Sequence, residues 1–161
     1  MATLQIVQPG TPAAKAVALN PIVFATDFSA ASGPALLKAV EMARKEGAEL
    51  IVAHVYEPPA SMGHSGIADD VIAADLEGTI RKDVEKQLEP VLAQVRAEGV
   101  RVRGEILAGH AAKRLADLAE KSGASLVILG THGRTGLKKL VIGSIASQVI
   151  AIAPCPVMTV R

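Results

Sequence analysis

Gly130, Gly133 and Gly136 fall in one short stretch with Arg134, Lys138 and Lys139 between and after them, and a Gly143-Ser144 pair closes it where a new helical pattern starts. Glycine lets a backbone approach a ligand closely. A helix start offers unpaired N–H groups and the positive end of a dipole, and both suit a phosphate. These residue types make an anion cradle, and the natural anion for such a cradle is a nucleotide. There is no G-x-x-x-x-G-K-[ST] loop and no G-x-G-x-x-G after the first strand, which argues against a P-loop nucleotide triphosphatase and a dehydrogenase.

The remaining reactive side chains are sparse. His54, His64, His110 and His132 include no pair with ligand spacing on one helix face, and Cys155 is the only cysteine, so a structural zinc site is disfavoured. A divalent ion held through nucleotide phosphates fits better, because magnesium uses substrate oxygens and few protein ligands. Cys155 reads as a small packing residue. Lys138 and Lys139 read as solvent-facing charge, and Arg134 is open between that and a ligand contact. Asp27, past the first strand, is either a ligand-side acid or a helix-capping carboxylate in the Asp27–Ser32 turn. No nucleophile with an adjacent base is visible, and His132 and His110 are unproven bases.

These groups sit in a chain of 161 residues, one domain by length, with 50% hydrophobic and 20% charged residues. Aromatics are 2%, without Trp, which speaks against a base-stacking nucleic-acid surface. The net charge of +1 gives no general pull towards nucleic acid or membrane. One cysteine, no signal-peptide pattern and no membrane-length apolar run lead to the expectation of a soluble cytoplasmic protein. Residues 1–20 read as an N-terminal extension, with a short strand at Leu4–Val7 as an option, and 21–161 as the domain.

The elements that must position the cradle alternate. Apolar runs at 21–26, 49–56 and 126–129 read as strands buried on both faces. Val100–Leu107 alternates apolar and polar residues, and Pro156–Val160 starts with a proline, so both read as edges. Between them, helices start near Ser32-Gly33-Pro34 with Ser32 as cap, near Asp69 or Asp70 with one of them as cap, after Gly109-His110, and at Ser144. Gly47, Gly123 and Pro154 stop three of them, while Gly78 and Pro90 weaken the long second helix. The expected fold is α/β: an open three-layer αβα sandwich around a five-stranded parallel sheet, strand order 3-2-1-4-5. That order puts a topological switch point between strands one and four, where Asp27 and Gly130 emerge.

The pattern Gly130-x-x-Gly133, nine residues, then Gly143-Ser144, before a terminal helix and strand, resembles the universal stress protein family. The resemblance extends over Pro21–Arg161 and includes Thr26-Asp27-Phe28-Ser29, His54-Val55, the Gly109 turn and Pro154-Cys155-Pro156-Val157. It implies the branch of the family that binds ATP in an adenine nucleotide alpha hydrolase-like, Rossmann-like fold. It implies that Gly130, Gly133, Gly143 and Ser144 surround the phosphates, that Gly109 brings its helix close to the ribose and phosphates, and that Asp27 lies beside the nucleotide. Val55, Ala25 and Thr26 would line the adenine pocket. His132, Arg134 and Ile145 complete the cofactor-binding candidates, although the family varies between Gly133 and Gly143 and so does not itself support Arg134.

The expectation is an ATP-binding regulatory protein of the stress response, with Mg2+ or Mn2+ held through phosphates, no catalytic residues and at most slow hydrolysis. Two other readings stand beside it. One is an adenylating enzyme of the related nucleotide alpha-hydrolase type, and the other is a nucleotide-free interaction module. Many family members pair through the C-terminal edge strand, so a homodimer is expected, without nucleic-acid or membrane partners.

Overall fold

The computed structural model describes residues 20–58, 67–131 and 143–161, with residues 67–71 as backbone only. The option of a strand at Leu4–Val7, and the candidates His132, Gly133 and Arg134, lie outside the described residues.

β1 (Ile22–Ala25) passes through a 3-10 turn (Ala30–Ser32) into α1 (Gly33–Glu46). β2 (Leu50–Tyr56) precedes α2 (Ile67–Ala97), and β3 (Val102–Ala108) precedes α3 (Ala111–Ser122). β4 (Leu126–Gly130), α4 (Ser144–Ile152) and β5 (Val157–Val160) complete the chain. The five strands form one sheet in the order β3-β2-β1-β4-β5, and every pairing is parallel. This is the order expected from the strand characters.

The period of two along each strand divides the core into two layers. Ile22, Phe24, Leu50, Val52, Leu126 and Ile128 face α1 and α2, where they meet Ala35, Ala39, Leu88, Leu92 and Val95. Val23, Ile51, Ala53, Val127 and Leu129 face α3 and α4, where they meet Ala112, Leu115, Leu118, Ala146 and Val149. Two covered faces explain why β1, β2 and β4 are apolar without alternation. β3 and β5 each have a single neighbour and are half-buried along their length. At β3 the covering helix comes close. A Cβ on Gly104 would lie 2.7 Å from Leu88 Cδ2 and 3.1 Å from Leu92 Cδ1, so only glycine admits α2 at this depth.

Gly47 (φ +64°) and Gly123 (φ +63°) end α1 and α3 in the left-handed conformation, with N–H groups bonded back into the last turn. Two local expectations are corrected. Ser32 holds the position before α1 but does not cap it. Its hydroxyl donates to Ser29 O at 2.8 Å and meets Thr26 Oγ1 at 3.1 Å. The 3-10 turn runs directly into α1, with the Gly33 N–H bonded to Ala30 O, and Pro34 at the second helical position has no N–H for a cap to serve. Asp69 and Asp70 fall within α2, not ahead of it, because the helix begins at Ile67. Pro90 lies inside α2, on its exposed face.

Candidate functional site

Past β1 the chain crosses to one face of the sheet, and past β4 it leads to a helix on the other face. The two connections diverge and leave a crevice at the carboxyl ends of the strands. A cleft of about 530 Å³ occupies that place, within the range of small-molecule sites. Ala25, Thr26 and Asp27 line it from β1, and Ala53 to Glu57 from β2. Leu129, Gly130 and Thr131 line it from β4, and Gly143, Ser144, Ile145 and Ala146 from the start of α4. Eight residues singled out from sequence, Ala25, Thr26, Asp27, Val55, Gly130, Gly143, Ser144 and Ile145, are thereby brought together.

Gly109 is not among the lining residues. Its glycine has a local reason: φ is +125°, its N–H donates to Tyr56 O at 2.9 Å, and a Cβ there would stand 2.9 Å from Arg114 Nε. It is Ala111, the first residue of α3, that reaches the cleft.

α4 supplies the donors. The Gly143 N–H bonds Thr131 O at 2.9 Å, which ties the helix start to the end of β4. The first intrahelical bond is Ser147 N–H to Gly143 O at 3.0 Å. The N–H groups of Ser144, Ile145 and Ala146 therefore have no acceptor within the helix, and the N-cap residue Gly143 has no side chain to cap them. All three residues line the cleft. A helix start of this kind at a cleft suits an anion. Gly143 is as close-fitting as its role requires, since a Cβ there would sit 3.1 Å from Thr131 O.

The opposite wall is built on the turn after β1. Thr26 Oγ1 accepts from the Phe28 N–H at 3.0 Å, and Asp27 Oδ1 accepts from the Ser29 N–H at 3.0 Å and the Ser29 hydroxyl at 2.6 Å. Asp27 thus ties its own turn together. The helix-capping alternative is not what the structure holds, because these donors precede the 3-10 turn. Phe28 adopts φ +60°, a left-handed backbone that costs an L residue roughly 1–2 kcal/mol. Its ring stacks on His54 with centroids 4.5 Å apart. His54 Nδ1 lies 2.8 Å from Thr26 O, and because a carbonyl only accepts, Nδ1 carries the proton. Phe28 and His54 were not among the site candidates, although His54-Val55 sits in the quoted motif.

Tyr56 and Glu57 extend the cleft beyond the candidates as well. The Tyr56 hydroxyl donates to Glu77 Oε1 of α2 at 2.9 Å. Burial first, and the Glu77 carboxylate second, hold its phenol above the ordinary value of about 10. A raised native value makes its share of stability fully present below pH ~10 and lost as pH climbs through the native value. Tyr56 is the only tyrosine, so its ultraviolet absorbance isolates this titration. The expected midpoint lies above that of an unfolded control, and Tyr56→Phe should flatten the alkaline fall in stability; a coincident midpoint would refute the assignment. Cys155 packs against the α3–α4 layer, and burial pushes its thiol upward, as suits a packing residue. Among the described residues no three His, Cys, Asp or Glu side chains are grouped to hold a metal, and no helix is long and apolar enough to cross a membrane.

Residues 19–161 match the model of the universal stress protein family. A universal stress protein of Methanocaldococcus jannaschii is 31% identical over 140 residues, covering 87% of this chain and 81% of the relative. A hypothetical protein of the same organism superposes with TM-score 0.80 at 24% identity, over 89% of this chain and 96% of its own. A universal stress protein in complex with cAMP superposes with TM-score 0.65 at 22% identity, over 90% and 98% of the two chains. One from Archaeoglobus fulgidus in complex with dAMP gives 0.62 at 24%, over 90% and 100%.

Proposed function

The chain belongs to the universal stress protein family, and from that premise we propose that its cleft binds an adenine nucleotide, ATP in the cell, whose presence alters the conformation or associations of a stress-response regulator. The observation that carries this reading is the trio of uncapped amides at Ser144, Ile145 and Ala146 opening into a cleft at the switch point. The complexes of two structural neighbours with cAMP and dAMP support the choice of adenine. The apolar wall of Ala25, Ala53 and Val55 suits a purine, and the α4 amides suit its phosphates. A Mg2+ or Mn2+ ion would be held through phosphate oxygens.

Occupancy, not turnover, is the proposed output. Fixed amides bind a phosphate alike before and during reaction, and uniform binding does not accelerate chemistry. We further propose that β5, an edge strand with one side unpaired within the sheet, joins two copies into a homodimer in the cytoplasm. A monomeric mass at micromolar concentration would refute that part.

The test of the main reading is calorimetric titration of protein stripped of co-purified nucleotide with ATP and AMP, with and without magnesium. Micromolar binding by either nucleotide is the expected result. The absence of binding by both would reduce the cradle to a turn and place the protein among interaction modules. Rapid release of pyrophosphate on adding ATP would instead favour the adenylating reading.

A further inference from the structure

We propose that Glu57 selects the sugar of the bound nucleotide, accepting hydrogen bonds from the ribose hydroxyls and discriminating against deoxy and 2′-phosphorylated forms. The inference rests on the nucleotide reading above and adds a residue that the motif does not contain. Glu57 is the first residue past β2, the strand beside β1, and it lines the same cleft as Asp27 and Ser144.

The cleft is divided by chemistry. Its β4–α4 side presents amide donors and so takes phosphate. Its β1–β2 side presents acceptors, the carboxylates of Asp27 and Glu57, which match the donors of a nucleoside. The two carboxylates are not equivalent. Asp27 Oδ1 is engaged by Ser29. Glu57 makes no hydrogen bond or ion pair among the described residues, and it is exposed at the mouth of the cleft. The purine belongs against the buried Ala53 and its neighbours, which leaves the hydroxylated sugar at the mouth, beside Glu57.

A carboxylate accepting from hydroxyls forms a charge-assisted bond. Its loss is expected to weaken binding about tenfold. A 2′-phosphate in the same place meets like charge and is rejected.

The experiment titrates the wild-type protein, Glu57→Gln and Glu57→Ala with AMP, 2′-deoxy-AMP, 3′-deoxy-AMP and adenosine 2′,5′-bisphosphate, with circular dichroism to establish that each variant is folded. The wild-type protein is expected to bind AMP about tenfold more tightly than at least one deoxy form. Glu57→Ala should erase that ratio by weakening AMP alone, and Glu57→Gln should improve binding of the bisphosphate. A ratio near one in the wild-type protein, or a ratio unchanged in the variants, overturns the proposal while leaving the nucleotide reading intact. A wild-type protein that binds none of the four, and no ATP either, refutes both.

Discussion

Phe24→Ala is expected to lower the free energy of unfolding by about 3–5 kcal/mol, the largest stability effect anticipated for a single truncation in this chain. Phe24 is the largest fully buried side chain, 1% exposed. It stands in the middle of the sheet, paired in register with Val52 of β2 on one side and Ile128 of β4 on the other. Its face of the sheet is closed by α1 and α2. Close packing on every side prevents the site from collapsing into the space left behind, so the cavity cost adds to the lost transfer energy. Domains of this size have about 5–15 kcal/mol in total, so the variant should unfold at a much lower denaturant concentration. Urea denaturation measures this as a shift in midpoint at constant slope. A loss below about 1 kcal/mol would show that the core relaxes around the gap, contrary to the packing described.

The second large effect concerns the cleft. Gly143→Val is expected to weaken nucleotide binding by about ten- to a hundredfold, equivalent to about 1.4–2.8 kcal/mol, with the fold retained. A Cβ at this position would meet Thr131 O at 3.1 Å, closer than such contacts normally run. The same carbonyl accepts the Gly143 N–H. It cannot retreat from the new side chain without giving up the bond that anchors α4. The branched side chain therefore pushes the helix start away from its place, and with it the three amides proposed to hold the phosphate. The backbone at Gly143 has φ −58° and ψ 154°, which any residue adopts, so no unfolding is expected from conformational strain. The measurement is calorimetric titration with ATP and AMP beside a thermal melt. Undiminished affinity in a folded variant would show that the α4 start does not hold the ligand.

Much of the scaffold was legible in the sequence because it depends on short periods. The largely apolar character of 21–26, 49–56 and 126–129 marked central strands, and the alternation at Val100–Leu107 marked an edge. Those characters were enough to order the sheet before its contacts were known. Gly47 and Gly123 were readable as helix ends because a left-handed cap is a local requirement. The glycine and serine at 143–144 were readable as a helix start for the same reason.

Other features were not legible, since they arise between residues far apart in the chain. Ser32 looks like a cap in sequence, yet a 3-10 turn precedes α1 and the Ser32 hydroxyl turns to Ser29 and Thr26 instead. Phe28 offers no sign of a left-handed backbone, a conformation that favours Gly or Asn. It is held there by the Thr26 hydroxyl and by His54, which arrives from another strand. Gly109 itself contacts Tyr56 and Arg114, and the helix it leads into presents its first residue, Ala111, to the cleft.

The sequence alone therefore determined the α/β class, the strand order and the switch point, because hydrophobic period and glycine chemistry act within a few residues. Only the tertiary structure decided which side chains share the cleft. Tyr56 and Glu57 enter it, Gly109 does not, and Asp27 turns one oxygen back on its own loop. Those outcomes follow from how closely each helix docks on the sheet, which is set by packing over the whole core.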